Sequence, residues 1–210
     1  MESLPGKRLV WMLFEGHLSS APVRTSRRTN LDCEIFILAG GLSRRMGIDK
    51  ARLRLGRRTM LSQVRFMAKA TGLPVRIICR DIVPRCGPLG GIITSFKKSR
   101  ARAILFLACD MPFVTEELLW WVVNRSLRRG PREIYRPSFV THDGQTGFPF
   151  VLPRAVLPEI EARRASGKWS LEGLAATLNA RQLRIPKKWI SQLDNINTPE
   201  EFLAKALTVS

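Results

Sequence analysis

The sequence predicts a doubly wound α/β fold around a mostly parallel sheet, and three observations predict it. Apolar runs of strand length recur at residues 35–38, 75–79 and 103–108. Stretches with apolar residues at helical spacing separate them. Ala103–Ala108, reading AILFLA, is unbroken and apolar, as in a strand buried on both faces of a parallel sheet. Strands alternating with helices imply right-handed βαβ units.

Taken in order, residues 1–30 read as a flexible extension ahead of a single domain over residues 31–210. The apolar run Val10-Trp11-Met12-Leu13-Phe14 is cut by Glu15 and Gly16, too early for a membrane span or the core of a signal peptide. Residues 35–38 then form a β-branched and aromatic strand that breaks at Ala39-Gly40-Gly41. Adjacent glycines after a strand let backbone N–H groups approach an anion, and Arg45 and Lys50 follow where phosphates would lie. Neither G-x-x-x-x-G-K-[ST] nor G-x-G-x-x-G occurs in this window.

Residues 51–58 read as an extended piece with a turn, and Met60–Ala70 as an amphipathic helix ending near Gly72. After the strand at 75–79 comes Gly87-Pro88-Leu89-Gly90-Gly91, a second glycine-rich element, with a helix expected to open at Ile92. The strand Ala103–Ala108 ends in Cys109-Asp110-Met111-Pro112. In open parallel sheets ligands bind beyond the carboxyl ends of the strands, where a carboxylate can hold Mg²⁺ between phosphates. A turn or helix-capping role for Asp110 stands beside this one, although Thr115 and Glu117 supply a cap signal for the next helix themselves. Further on, residues 148–152 read as a strand and 154–164 as a helix. A second helix follows Ser170, a candidate N-cap, and Thr198-Pro199-Glu200-Glu201 marks a last helix start.

Composition narrows the classes. With 210 residues the chain can bury a full core, and 35 Lys+Arg against 17 Asp+Glu give a net charge of +18. That field favours polyanions in general, so charge alone permits a nucleic-acid-binding protein without catalysis as well as a nucleotide enzyme. The excess is mostly arginine spread along the chain, as on a generally basic surface, and the glycines with Lys50 and Asp110 make nucleic acid the lesser reading. Four cysteines lack C-x-x-C spacing, and only His17 and His142 could serve in metal or nucleophile chemistry. A zinc site is therefore not expected. Reduced cysteines in apolar runs suit the cytoplasm.

The motifs L-A-G-G-x-S-x-R-M-G-x-D-K from Leu38, G-P-L-x-G from Gly87 and C-D-M-P from Cys109 together resemble the molybdenum cofactor guanylyltransferases. The ending Asn195-Ile196-Asn197-Thr198-Pro199-Glu200-Glu201 is similar to theirs as well. The resemblance implies a Rossmann-like three-layer α/β/α fold, with a nucleotide-binding half near residues 31–115 and an acceptor-binding half near 116–210. It implies transfer of GMP from GTP to the phosphate of molybdopterin, with Mg²⁺ as cofactor and pyrophosphate as leaving group. A cytidylyltransferase of the same cofactor, or a transferase onto a sugar phosphate, is the alternative within enzymes.

Carried over by position, the resemblance gives nucleotide contacts to Leu38, Ala39, Gly40, Gly41, Lys50, Asp81 and Asp110. It gives the metal to Asp110 and the acceptor to Asn195 and Asn197. Lys50, Arg45 and Asp110 are the expected catalytic residues. Molybdoenzymes or other proteins of cofactor biosynthesis are implied as further partners. The chain has room for only one strand between Gly72 and Asp81, where the family carries a further strand and helix. His142 is offset from the family's histidine and receives no role.

Overall fold

The computed structural model describes residues 31–40, 54–55, 58–82, 86–128, 134–196, 198, 200–201 and 204. The expected extension over residues 1–30 lies outside them.

The core is a six-stranded sheet in the order β10-β8-β9-β5-β1-β4. Its strands are β1 (Cys33–Leu38), β4 (Val75–Ile78), β5 (Ala103–Ala108), β8 (Ser138–His142), β9 (Gln145–Pro153) and β10 (Arg181–Arg184). Two short antiparallel pairs stand apart, β2 (Arg54–Leu55) with β3 (Arg58–Thr59) and β6 (Leu127–Arg128) with β7 (Ile134–Tyr135). β1 is parallel to β4 and β5, β10 is parallel to β8, and β9 runs against both β5 and β8. The carboxyl ends of β1, β4, β5, β8 and β10 therefore share one edge, and the mostly parallel sheet expected from the sequence is present.

Side chains alternate across a strand, and the alternation sorts the core into two layers. Ile35, Ile37, Leu105 and Leu107 face α1 (Met60–Ala70) and α3 (Glu116–Ser126), meeting Val64, Ala68, Leu118 and Val122. Phe36, Ile104 and Phe106 face α2 (Pro88–Lys98), α4 (Leu157–Ala165) and α5 (Leu171–Thr177), meeting Ile92, Phe96, Ile160 and Leu174. The result is a three-layer α/β/α arrangement. On the second face a line of aromatic rings crosses three strands. Phe106 and Phe139 each sit directly opposite Phe150, with ring centroids 5.0 and 4.6 Å from it.

Local chemistry explains the helix starts. Thr59 and Thr115 accept hydrogen bonds from Ser62 N and Leu118 N at 3.2 and 3.3 Å, and Ser170 accepts from Gly173 N at 3.2 Å. Thr198 accepts from Glu201 N at 3.1 Å, so the expected capping at the C-terminal helix start is present. Each satisfies one of the N–H groups left open in a first turn.

Three boundaries differ from the sequence expectation. α2 opens at Pro88 and not at Ile92, because Gly87 supplies the turn at φ +53° and Pro88 takes the first helical position. Gly90 and Gly91 do not break it, since both are buried in the packing of its first turn. β9 is longer than residues 148–152, and the helix expected from Arg154 begins with a 3₁₀ turn over Arg154–Val156. β8 and β10 gave no sequence signal.

Arg154 ties the far edge together. Its guanidinium donates to Ala101 O at 3.2 Å, to Phe96 O at 2.8 Å and to Ser99 O, closing the carboxyl end of α2 and the turn beyond it. The C-terminal carbonyls of a helix lack intrahelical partners, and a cation is well placed to satisfy them.

Candidate active site

The shared sheet edge gathers residues that are far apart in sequence. β1 and β5 run in register from Cys33↔Ala103 to Leu38↔Ala108, so the residues beyond them leave side by side. The pairing continues one step past the strands, where Cys109 N donates to Leu38 O at 3.2 Å. On the other side Ala39 N donates to Ile78 O at 2.8 Å. Ala39 and Gly40 thus emerge between Asp110 and the end of β4.

Gly40 is required there by space. A Cβ at this position would stand 2.9 Å from the backbone oxygen of Cys79 and 3.1 Å from its carbon. Neither atom can swing aside as a side chain would. Gly40→Ala is expected to displace the Ala39-Gly40 backbone by about half an ångström, against ordinary contacts of 3.4 Å or more. Misplacement by about 1 Å can cost 10²-fold, so a smaller shift is expected to raise the nucleotide KM roughly tenfold. Steady-state kinetics on the variant would check this, with an unchanged KM counting against close backbone contact.

Asp81 follows β4 by three residues and is half-buried, and burial holds its carboxyl above the usual carboxylate range. It lies against the first turn of α2, with Oδ1 3.4 Å from where a Cβ of Gly91 would be. Thr94 fixes this junction. Its hydroxyl donates to Gly90 O at 2.7 Å and accepts from Ile82 N at 2.9 Å, pinning the segment after β4 to α2. A threonine bonded back to the preceding helical turn is a common arrangement, and no local spacing points to its second partner.

Asp110, half-buried at the end of β5, meets the C-terminal segment. Its backbone oxygen accepts from Ile196 N at 2.9 Å, which brings the exposed Asn195 to the same place. The C-terminal segment is held from a second point as well. Gln192 Oε1 accepts from both the N–H and the hydroxyl of Thr115, at 3.0 and 2.9 Å. Gln192 was not legible because its partner is 77 residues away.

Of the residues singled out in the sequence, Leu38, Ala39, Gly40, Asp81, Asp110 and Asn195 are brought to this edge. Gly41, Arg45, Lys50 and Asn197 lie outside the described residues.

An open cleft of about 390 Å³ lies on the same edge, between the β8–β9 turn and the end of β10. Thr141, Thr146, Gln182 and Arg184 line it, together with His142, whose Nε2 is 3.1 Å from Asp143 Oδ2. Among the described residues no group of three or more His, Cys, Asp or Glu could enclose a metal by itself. Mg²⁺ does not need one, since it is commonly held by one or two carboxylates with phosphate oxygens and water completing its shell. Asp110 beside the Ala39-Gly40 backbone fits that demand. Cys33 has no such part, because burial pushes its thiol up to about 12 and keeps it protonated in the core. None of the four cysteines, all of them among the described residues, is in a disulfide. No described helix is long and apolar enough to cross a membrane.

Comparisons with known proteins agree with this layout. A sequence profile of the MobA-like NTP transferase domain matches residues 35–182. A probable molybdenum cofactor guanylyltransferase of Opitutus terrae is 33% identical over 188 residues, covering 79% of this chain and 90% of the relative. A molybdenum cofactor guanylyltransferase of Pseudomonas entomophila is 30% identical over 189 residues, covering 81% and 96%. Among solved structures, the molybdopterin-guanine dinucleotide biosynthesis protein A of Archaeoglobus fulgidus superposes with a TM-score of 0.60. It is 17% identical, over 84% of this chain and 97% of the other. The 2-C-methyl-D-erythritol 4-phosphate cytidylyltransferase of Thermus thermophilus gives a TM-score of 0.57 at 15% identity, over 84% and 98%. At these identities the two structures speak for the fold.

Proposed function

The chain belongs to the MobA-like NTP transferase domain family, and on that premise we propose that it transfers GMP from GTP to the phosphate of molybdopterin, forming the guanine dinucleotide cofactor. The observation that carries this reading is the register of β1 and β5, which sets the Ala39-Gly40 backbone next to Asp110 at one end of the sheet.

A phosphate oxygen of molybdopterin attacks the α-phosphorus of GTP, the bond to the β-phosphate oxygen breaks, and pyrophosphate leaves with the electron pair. The attacking oxygen is already ionised at neutral pH, so the reaction requires no strong general base, and histidine has no necessary part. The problem is electrostatic, since two polyanions must be held in line while charge builds on the transferred group. The Gly40 backbone admits phosphate oxygens at close range. In this reading Arg45 and Lys50, which follow Gly40 in the sequence, supply positive charge to the departing pyrophosphate and the α-phosphoryl group. Asp110 would hold Mg²⁺, which when bound neutralises charge on the phosphate oxygens.

In this reading Asn195, next to the Ile196–Asp110 hydrogen bond, meets the acceptor where it borders the donor. The acceptor half then extends along the same edge toward β8 and β10. The working compartment in this reading is the cytoplasm, and the molybdoenzymes that receive the finished cofactor are the natural partners.

The test is pyrophosphate release by the purified protein with Mg²⁺ and molybdopterin, offering each NTP in turn. Release with GTP and no other NTP is the expected result. Release with CTP in its place would make the enzyme a cytidylyltransferase of the same cofactor. No release with any NTP, on molybdopterin or on sugar phosphates, would overturn the transferase reading.

A further inference from the structure

Trp169 stands out among the side chains that the mechanism leaves unused. It lies in the segment between α4 and α5, on the face of the sheet that carries α2. It is one of four large apolar side chains that the described residues leave exposed, at 43%. Burying an aromatic side chain is among the larger stabilising terms available to a core, so a tryptophan left open on a short connecting segment has not been recruited to packing.

Trp169 is a neighbour of Gly87. A Cβ on Gly87 would meet the Cβ and backbone oxygen of Trp169 at 3.7 and 3.8 Å. Gly87 is the N-cap of α2, and the end of that first turn carries the close approach of Gly91 to Asp81. The α4–α5 segment thus borders the Asp81 end of the sheet edge from the face opposite α1 and α3.

Asp81 marks the nucleoside end of the donor. In an in-line displacement the pyrophosphate leaves opposite the acceptor, and the ribose and base lie to one side of that line. A carboxylate repels phosphate and accepts from hydroxyl or amine donors, so Asp81, beside the first turn of α2, suits the ribose and base. Among the described residues β4, the strand that leads to Asp81, is the outermost on its side of the sheet.

We propose that Trp169 is a positioning residue that stacks on the nucleobase of the bound nucleoside triphosphate. This deepens the transferase reading and rests on it. Stacking on an aromatic ring is tolerant of base identity because every base offers a π-face. Trp169 contributes donor affinity and orientation, and choice among bases falls to polar groups such as Asp81 and the backbone of residues 38–40.

The decisive experiment uses two ligands that share phosphates and differ in the base. GTP and inorganic tripolyphosphate are titrated by calorimetry into wild type, Trp169→Ala and Trp169→Phe. The alanine variant should lose roughly 5- to 150-fold in GTP affinity, the span that base–aromatic stacking covers, and keep its tripolyphosphate affinity. The phenylalanine variant should recover most of the loss. In turnover assays the alanine variant should raise KM for GTP well beyond its effect on KM for molybdopterin.

Equal GTP affinity in wild type and Trp169→Ala overturns the proposal while leaving the transferase reading standing, as does a loss shared equally by tripolyphosphate. A rise confined to the KM of molybdopterin also overturns it and moves the ring to the acceptor. Failure of the wild type to bind GTP overturns both readings together.

Discussion

Asp110→Ala is expected to lower the transfer rate by on the order of 10²–10³-fold, the range for removing one preorganised group that stabilises developing charge. The pairing of β5 with β1 brings Asp110 alongside the Ala39-Gly40 backbone. The backbone oxygen of this residue accepts from Ile196 N. Alanine keeps that oxygen and with it the hydrogen bond to the C-terminal segment, and the thermal midpoint of each variant shows whether a lost rate is a lost fold. Asp110→Asn is a stricter control, since it preserves shape and removes charge. A near wild-type rate in both variants, at saturating Mg²⁺ and GTP, would take Asp110 out of the mechanism.

Phe150→Ala is expected to cost about 3–5 kcal/mol of folding stability, as large aromatic truncations in cores do. Phe150 is fully buried in β9 and pairs directly with Phe106 on one neighbouring strand and Phe139 on the other. Phe148 adds a third ring at 4.9 Å. Removing the central ring leaves three others facing a void, and aromatic contacts add about 0.5–1.5 kcal/mol each beyond their buried area. Natural domains have about 5–15 kcal/mol in total, so the variant should unfold at a clearly lower urea concentration. Phe150→Leu should fall between it and wild type. A loss below about 1 kcal/mol for the alanine variant would mean that the neighbouring rings close the gap.

The central strands were legible because burial on both faces writes itself as an unbroken apolar run, as in AILFLA. The outer half was not. β10 buries only Leu183 of its four residues, and β8 mixes Ser138, Thr141 and His142 with two apolar residues, so neither stands out from a loop. Asp110 and the glycine turns could be found as local patterns at strand ends. The meeting of Asp110 with Ile196, and of Thr115 with Gln192, depends on how distant segments pack, and no spacing in the chain encodes it. The start of α2 was missed for a different reason. Paired glycines ordinarily argue against helix, yet here Gly91 stands where a Cβ would press on Leu38 at 3.1 Å.

The clamp made by Arg154 sits on the edge of the sheet opposite the cleft, but it does not act on that edge alone. α2 has 11 residues, and at 1.5 Å per residue it is a rod of about 16 Å. Its rear end is bolted to β9 through Arg154, while its front end carries the turn that touches Asp81 and Trp169. Such a rod transmits tilt. The position of the donor pocket is set in part by a guanidinium on the other side of the molecule, so the alignment of the site is a property of the whole layer and not of its lining.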